Sequence, residues 1–529
     1  TRHLLTPTRA CSVWNRQNSG LLLQKGHPSK HRTLLSAAVD TMETSRQLGF
    51  TDEATIGSDA AFIGLQSDLD TMWLCFGAIL VFFMQTGFAM LEVGNVNRKN
   101  TSNALIKNLL DALIGSLMWW ITGFGIAMGS ARKTHGFMGT DSFGLIYDHF
   151  GENGDHGYKY GMWMFQWAFA ATTATITSGA VAERCTFTAY MVYSVMLTGL
   201  IYPTVVCWGW NTEGWASAWK SADTDKNPLL FGCGVIDFAG SGVVHMSGGV
   251  AAFCGSYFLG ARKARQPHPA GPFVELPSDY APEYGPIFCT LGTLILWMGW
   301  YGFNGVSTLY IVNYGLVAAK TMVTTTIAAG TGAVTTLFVG SLMDGKTDGQ
   351  YTLKLGNVQN GLLGGLVAVT ASCSVIEPYA AFVIGFLSCF VYLGAVKTLD
   401  ALRVDDVVLA IPVHLFCGCF GVIMAGLFAT KENYANAYYS DRADDCAGVF
   451  YGGNGSSLAA GGVFILSIIA WVGAWSCVVF GGLRNMGLLR VEEHVEEEGM
   501  DKSEHGVTTG YQPGNTGVEL AAVDDGSSL

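Results

Sequence analysis

Residues 237 to 252 read DFAGSGVVHMSGGVAA, an apolar and glycine-rich run that contains one carboxylate, Asp237, and one histidine, His245. A run of this composition predicts a helix that crosses a membrane. Hydrocarbon solvates neither a carboxylate nor an imidazole, so each of the two side chains must face protein, water or a substrate. The stretch therefore predicts a membrane-spanning helix with a polar path beside it.

The whole chain has the composition of a membrane protein. Of its 529 residues, 13% are charged and 50% are apolar, and the mean hydropathy is +0.33. These values argue against a soluble protein. Eleven segments are long enough to cross a bilayer at about 1.5 Å per residue and predict an all-α, polytopic membrane protein. The predicted spans are 70–93, 104–129, 161–182, 187–210, 235–260, 286–308, 316–341, 355–374, 378–397, 407–429 and 457–482.

The spans divide the chain into three regions. An N-terminal segment, residues 1–68, precedes a transmembrane domain, residues 69–482, and a C-terminal tail, residues 483–529, follows it. The third, seventh and eighth spans are the weakest because they are rich in Thr, Ala and Gly. Small residues let helices approach closely, so we expect a tightly packed bundle.

The basic residues predict the orientation of the bundle. An odd number of spans places the termini on opposite sides, and most loop lysines and arginines fall on the side of the tail. The positive-inside rule puts that side in the cytoplasm and the N-terminus outside, for a multi-pass protein of the plasma membrane. The net charge of −12 comes largely from the acidic tail and the hydrophilic loops, and nucleic acid is excluded as a partner. The basic residues on the predicted cytoplasmic side are Arg98, Lys99, Arg184, Arg262, Lys263, Arg265, Lys397, Arg403, Arg484 and Arg490.

The first 41 residues differ from the rest of the chain. They hold six Lys or Arg against one acid, Asp40, a composition that resembles an organelle transit peptide. Met42 stands where the composition of the membrane protein begins. Two interpretations follow: residues 1–41 are translated from upstream of the true start, or they are a real transit segment and the protein lies in an organelle membrane.

The cysteines predict no covalent framework. Thirteen cysteines are scattered, mostly inside apolar runs, and none forms a Cys-x-x-Cys pair. The closest two in sequence, Cys417 and Cys419, are interpreted as helix-packing residues. We therefore expect no disulfide framework, no metal site and no cofactor.

Two histidines are candidate pore residues. His245 lies in the fifth predicted span and His414 in the tenth, whereas the other histidines lie in the N-terminal stretch, loops or tail. The spans are interpreted as two inverted five-helix halves followed by one extra helix. Each half would contribute one histidine to a site at the interface between the halves. Two alternatives remain open: each histidine donates to a carbonyl of a neighbouring helix, or the two are axial haem ligands of an oxidoreductase.

Aromatic residues at helical spacing accompany the histidines. Phe303 and Ser307 are one turn apart in GWYGFNGVS and share a face of the sixth span, and Phe165 and Phe169 have the same spacing in FQWAF. The fourth span ends in CWGW, residues 207–210. A tryptophan at that depth is either an interfacial anchor or a ring that binds a cation on its face.

The stretches DFAGSGVVH and GWYGFNGVS, together with GAVAERCTF, NGLLGGLVAVTASC and GMDKSEHG, resemble the ammonium transporter, methylammonium permease and Rhesus family in its plant and algal branch. The resemblance runs from Leu69 to Gly506, with the motifs in the family's order. It implies an eleven-span homotrimer in the lipid bilayer, with one pore per protomer, that takes up ammonium or methylammonium with high affinity and is not an enzyme.

The resemblance also implies roles for particular residues. The protein would recruit NH4+ at an outer aromatic site, remove its proton and conduct NH3 past twin histidines, with net transport of charge. A Rhesus-type neutral gas channel and an ammonium-sensing transport receptor are the alternatives. The implied roles are pore histidines for His245 and His414, a phenylalanine gate for Phe169 and Phe303, an outer recruitment site for Trp210 and Ser307, with Trp208 as a rival for the tryptophan, and a supporting carboxylate for Asp237.

The tail carries a candidate regulatory site. Ser503, in GMDKSEHG, stands where the resemblance implies a phosphorylated threonine that closes the pore. A kinase is therefore an expected partner. Glu504 replaces the arginine that usually follows this position.

Several pore-proximal positions depart from the family's pattern and bear on transport rate and selectivity. Two large residues follow His414 where the family has small ones. The departures are Leu415 and Phe416 after that histidine, Leu409 and Asn357 in place of acids, and Cys207 in place of a histidine near the outer tryptophan.

Overall fold

The computed structural model describes residues 59–146, 156–220, 228–266, 273, 276–277, 280–347 and 349–507. Residues 1–41, which carry the transit-peptide interpretation, lie outside this part of the chain. The described residues are predominantly helical, as predicted. A short antiparallel hairpin, Lys346–Thr347 paired with Gln350–Tyr351, is their one sheet.

Long helices make up most of the described part of the chain. Their positions follow the predicted spans closely, because each apolar run is bounded by loop residues that end it. In chain order they are α1 (Asp59–Asn95), α2 (Arg98–Met128), α3 (His156–Val181), α4 (Phe187–Trp210), α5 (Ser241–Leu259), α6 (Gly285–Thr308), α7 (Gly315–Asp344), α8 (Leu355–Thr370), α9 (Pro378–Leu402), α10 (Ile411–Phe428) and α11 (Ser456–Asn485).

Nine of these helices in the described part are long and apolar enough to cross a membrane. The two others are α3 and α8, which coincide with two of the three weak spans in the sequence. Helix α8 has only 16 residues, and α3 carries a run of threonines. The chain is a polytopic helical membrane protein, and the count of eleven spans stays a prediction.

Two of the helices begin with a wider turn. Ser241–Met246 at the start of α5 and Ile411–Phe416 at the start of α10 are π-helical. Such turns are rare and are frequently found at functional sites. Each of these two segments contains one of the candidate pore histidines, as expected if the two helices occupy matching positions in two halves of the fold.

A disulfide joins two loops at one end of the bundle. Cys233 precedes α5 and Cys446 precedes α11, and their Cα atoms are 5.5 Å apart. The expectation that no disulfide forms is wrong, because the two cysteines are 213 residues apart in sequence and only the folded chain brings their loops together. We call this end of the bundle, where α4 ends, the disulfide face.

The opposite end of the bundle holds the C-terminal tail, and we call it the tail face. The backbone N–H of Val491 donates to the carbonyl of Arg184, just before α4, at 3.1 Å. Arg490 Nη1 donates to the carbonyl of Leu259, the last residue of α5, at 2.8 Å. Helices α4 and α5 therefore both run between the two faces, in opposite directions.

A buried ion-pair cluster closes the tail face. Arg262, just after α5, donates to both carboxylate oxygens of Asp405, just before α10, at 2.8 and 2.9 Å. Its Nη1 also donates to Glu183 Oε2 at 2.6 Å. Burial raises the pKa of Asp405, but the guanidinium groups of Arg262 and Arg184 outweigh burial and hold that pKa well below its ordinary value. The cluster ties together the loops next to the two histidine-bearing helices.

This cluster generates a prediction about stability. Replacing Asp405 by Asn removes one of the two carboxylates that pair with the buried Arg262 guanidinium and leaves only Glu183. We expect a loss of about 3 kcal/mol of folding stability. The matched control is Asp400→Asn. Asp400 is 36% exposed and lies 3.4 Å from Arg265, a class of ion pair worth at most about 1 kcal/mol. Thermal unfolding of the two detergent-solubilised variants checks this, and equal melting temperatures would contradict it.

Candidate functional site

A cavity of about 390 Å³ lies at the disulfide face. We call it the Trp210 cavity. Its walls bring together residues of α3, α4 and α6 that the sequence singled out separately. Predicted residues on these walls are Phe169, Trp210 and Ser307, and other aromatic residues there are Tyr158, Trp219, Phe238, Tyr310, Tyr314, Tyr438 and Tyr439.

The structure separates the two candidate tryptophans. Trp210 lines the cavity, and its Nε1 donates to the backbone carbonyl of Asp237 at 2.7 Å. Trp208 is buried away from the cavity, and its Nε1 donates to the carbonyl of Phe137 at 2.9 Å. Of the two candidates, Trp210 is the one that lines the cavity.

Two phenylalanines stand between the cavity and the histidines. The ring centroids of Phe169 and Phe303 are 4.2 Å apart with an interplanar angle of 32°. Phe169 also meets Trp210 edge to face at 5.7 Å, and Phe303 stacks on His245 at 5.3 Å. The rings form a continuous column from the cavity to the first histidine. Phe165, the other residue of the FQWAF pattern, packs edge to face on Phe169 at 4.8 Å.

The two histidines touch each other. His245 Nδ1 and His414 Nδ1 are 3.0 Å apart, and the ring centroids are 5.1 Å apart. In this contact one Nδ1 donates and the other accepts, so the two neutral imidazoles are in opposite tautomers. His245 Nε2 has no hydrogen-bond partner among the described residues. The direct contact leaves no gap for a haem macrocycle between the rings.

Two aspartates hold the starts of the histidine helices. Asp237 Oδ2 accepts the backbone N–H groups of Gly242 and Val243 at 3.1 and 2.8 Å. Asp406 Oδ2 accepts the N–H of Ile411 at 2.6 Å. Neither side chain lines the Trp210 cavity. The Asp237 carboxylate contacts the start of α5, and only its backbone carbonyl contacts the indole of Trp210. Burial raises the pKa of Asp406 to about 6.

Asp406 is a residue that reasoning from the sequence missed. The signal was present, because each aspartate is the eighth residue before a histidine: Asp237 before His245, and Asp406 before His414. Without the paired hydrogen bonds to the helix starts, the equal spacing carried no physical meaning.

The positions that depart from the family's pattern fall in different places. Cys207 is buried and packs near the carbonyl of Gly136. Asn357 packs against Gly340 of α7. Leu409 lines a second, smaller cavity that also contains His414. Of these three, only Leu409 lines a cavity together with a candidate pore histidine.

A helical bundle with an aromatic cavity, a phenylalanine pair and two touching imidazoles in line defines a membrane protein that passes a small polar solute. The model of the Ammonium Transporter Family matches residues 72–510. The chain belongs to this family.

Relatives and solved structures support the assignment. Ammonium transporter 1 member 1 of Oryza sativa subsp. japonica is 42% identical over 455 residues, 84% of this chain and 86% of that protein. Ammonium transporter 1 member 2 of Arabidopsis thaliana is 43% identical over 426 residues, 79% of this chain and 78% of that protein. The structure of a Sensor Amt Protein aligns with a TM-score of 0.71 at 29% identity, covering 83% of this chain and 99% of its own. Saccharomyces cerevisiae Mep2, at 21% identity, TM-score 0.67 and coverage of 80% and 87%, supports the fold alone.

Proposed function

We propose that this protein takes up ammonium with high affinity across the plasma membrane, removing a proton from NH4+ at the Trp210 cavity and conducting NH3 past His245 and His414. The observation that carries the proposal is the unbroken column of contacts from Trp210 through the phenylalanine pair to the two histidines. Membership of the Ammonium Transporter Family supports the substrate. The relatives are transporters by name, which supports a transporter rather than an enzyme.

The energies favour passage of the neutral base. Moving a bare cation into a low-dielectric pore costs on the order of tens of kcal/mol. With a lysine-like pKa of about 10.4, removing the proton at pH 7 costs roughly 5 kcal/mol. Potassium has no proton to lose, so it meets the full cost of dehydration. A pore of this design selects ammonium because ammonium can shed its charge.

The Trp210 cavity has the groups that a recruitment site needs. The face of an indole attracts a cation. The hydroxyl hydrogen of Ser307 is donated to the carbonyl of Phe303 at 2.7 Å, so its oxygen lone pairs remain to accept an N–H of ammonium. The indole that attracts the cation and the hydroxyl that accepts its N–H group thus lie beside the phenylalanine pair, where the substrate leaves water.

The histidine contact supports net transport of charge. Because the two Nδ1 atoms are within hydrogen-bond distance, a proton that reaches His245 has a direct path to His414, parallel to the ammonia. A neutral gas channel, the alternative, would leave that proton outside. Electrical currents during transport distinguish net transport of charge from a neutral gas channel.

Two independent features support an orientation with the disulfide face outside. Basic residues concentrate at the tail face, which the positive-inside rule places in the cytoplasm. Disulfides such as Cys233–Cys446 form on the oxidising side of a membrane. The homotrimer implied by the family resemblance belongs to the same proposal.

The tail is docked on its own protomer, which supports a regulatory role. Asp501 accepts the N–H groups of Ser102 and Asn103, near the start of α2, at 3.0 and 2.8 Å. Lys263 pairs with Glu493 at 2.5 Å and also with Glu497. The two glutamates raise the pKa of Lys263. The tail thus bridges α2 and the loop after α5.

Uptake is the first measurement. In cells that lack their own ammonium transporters, we expect the protein to restore growth on low ammonium and to take up labelled methylammonium. Voltage clamp should show inward currents on adding ammonium. Uptake without current would support the neutral gas channel, and absence of uptake at confirmed surface expression would reject the proposed function.

Replacing His245 by Ala should lower uptake roughly tenfold or more, because the pore loses a buried hydrogen-bonding group and the relay to His414. The matched control is His135→Ala, in an exposed loop at the disulfide face, which should transport normally. Labelled methylammonium uptake at equal surface expression measures both. Wild-type rates in His245→Ala would remove the twin-histidine mechanism.

Ser503 tests the tail. Its hydroxyl donates to the carbonyl of Gly499 at 2.8 Å, and it lies between Asp501 and Glu504. A phosphate adds about −1.5 to −2 charge at pH 7 and would repel these acids and undock the tail. Ser503→Asp should abolish or sharply reduce ammonium uptake, whereas Ser503→Ala should transport normally. Equal uptake by both forms would show that this site does not control the pore.

A further inference from the structure

A second polar site lies on the tail side of the histidine pair. The small cavity that contains His414 and Leu409 has a volume of about 20 Å³, room for one molecule of the size of water or ammonia. We call it the Glu92 cavity, because Glu92 of α1 is the one acidic residue on its walls. Its other polar lining residues are Thr175, Asn360 and His414.

Glu92 is held so that one oxygen is left over. Asn108 Nδ2 and Ser178 Oγ both donate to Oε2, at 2.9 and 3.1 Å. Oε1 is buried and has no hydrogen-bond partner among the described residues. A carboxylate in a membrane span with an unused oxygen is costly unless it meets a ligand.

The free oxygen lies at the cavity wall. A Cβ built on Gly179, which lines the cavity, would stand 3.6 Å from Glu92 Oε1 and 2.5 Å from Val408 Cγ2. A side chain at position 179 would therefore push Val408 and crowd the carboxylate. Glycine at this position keeps the space beside Oε1 open.

Lys107 and Asp111 are the charged neighbours of Glu92, and the hydrogen bonds of their side chains go to other residues. Lys107 Nζ donates to the carbonyl of Cys185 at 2.9 Å. Asp111 accepts the hydroxyl groups of Tyr190 and Ser194. None of the ion pairs among the described residues includes Glu92. The unmatched partner for Oε1 is a small cation or an N–H donor.

We propose that Glu92 forms an inner ammonium site, where the substrate regains its charge after passing His414. This inference rests on the proposed function. Ammonia accepts the proton that the histidine pair has relayed: the N–H bond of the His414 imidazolium breaks, a fourth N–H bond forms on ammonia, and His414 returns to its neutral form. The carboxylate of Glu92 stabilises the resulting ammonium ion through Oε1 before the ion leaves at the tail face.

A site at Glu92 should affect uptake and efflux in different ways. For uptake, substrate enters at the Trp210 cavity, which Glu92 does not touch, so Glu92 affects the maximum rate and not the half-saturating outside concentration. For efflux, substrate enters at Glu92, so Glu92 affects the half-saturating inside concentration. A merely structural role would change both directions alike.

The experiment uses the full chain in proteoliposomes of known orientation, with ammonium steps applied to either side and ¹⁵N-ammonium flux and current recorded. Glu92→Gln keeps the shape of the side chain but presents an amide where Oε1 was. We expect the maximum uptake rate to fall about tenfold, with unchanged outside half-saturation, and the inside half-saturating concentration to rise about tenfold. The matched control is Asp111→Asn, which changes a buried acid that does not line the cavity. This variant should not show the difference between uptake and efflux.

Several outcomes would overturn the inference. Wild-type parameters in Glu92→Gln would do so, as would equal effects on both directions in Glu92→Gln and Asp111→Asn. If Glu92→Gln does not fold, Val408→Phe fills the cavity while retaining the carboxylate, and it should slow uptake without changing outside half-saturation. Wild-type flux through Val408→Phe would remove the cavity from the pathway. Loss of flux in the wild type itself would instead reject the proposed function.

Discussion

The contact between His245 and His414 is the interaction on which the rest of the structure depends. It requires the first turns of α5 and α10 to lie side by side in the bundle interior. A Cβ on Gly249 would stand 2.4 Å from the backbone nitrogen of Leu415, and one on Gly418 would stand 2.6 Å from the carbonyl oxygen of Ser241. Only glycine permits this approach at both positions, which explains the glycine-rich sequence around each histidine. Arg262 and Asp405 fasten the same two helices at the tail face.

The polar groups inside the bundle fall into two kinds. Most of them stabilise the fold. Asp111 and Arg184, for example, form hydrogen bonds with neighbouring side chains or backbone carbonyls. Others have an atom without a hydrogen-bond partner among the described residues, including His245 Nε2, Asp237 Oδ1 and Glu92 Oε1. Among these atoms, His245 Nε2 and Glu92 Oε1 belong to residues that we propose lie on the path of the substrate.

The sequence alone predicted most of the plan, and the exceptions have physical reasons. Apolar runs located the helices, and the rarity of histidine within them singled out His245 and His414. Hydropathy undervalues α3, because Thr172 and Thr173 donate to carbonyls one turn back within the helix and so present less polarity to their surroundings than a free hydroxyl. Glu92 was not recognised because its meaning depends on Asn108 and Ser178 occupying one oxygen. Such facts are properties of the packed chain and have no counterpart in local sequence.

The Cys233–Cys446 bond has a consequence for biosynthesis. Ribosomes deliver Cys233 long before Cys446, and helices α5 to α10 lie between them. The Cys233 thiol therefore stays reduced, or forms a temporary disulfide, until both histidine helices have been inserted and the loop that contains Cys446 has been synthesised. The bond therefore reports a completed assembly, so retention of chains with a free Cys233 thiol would hold back protomers whose two halves have not yet met.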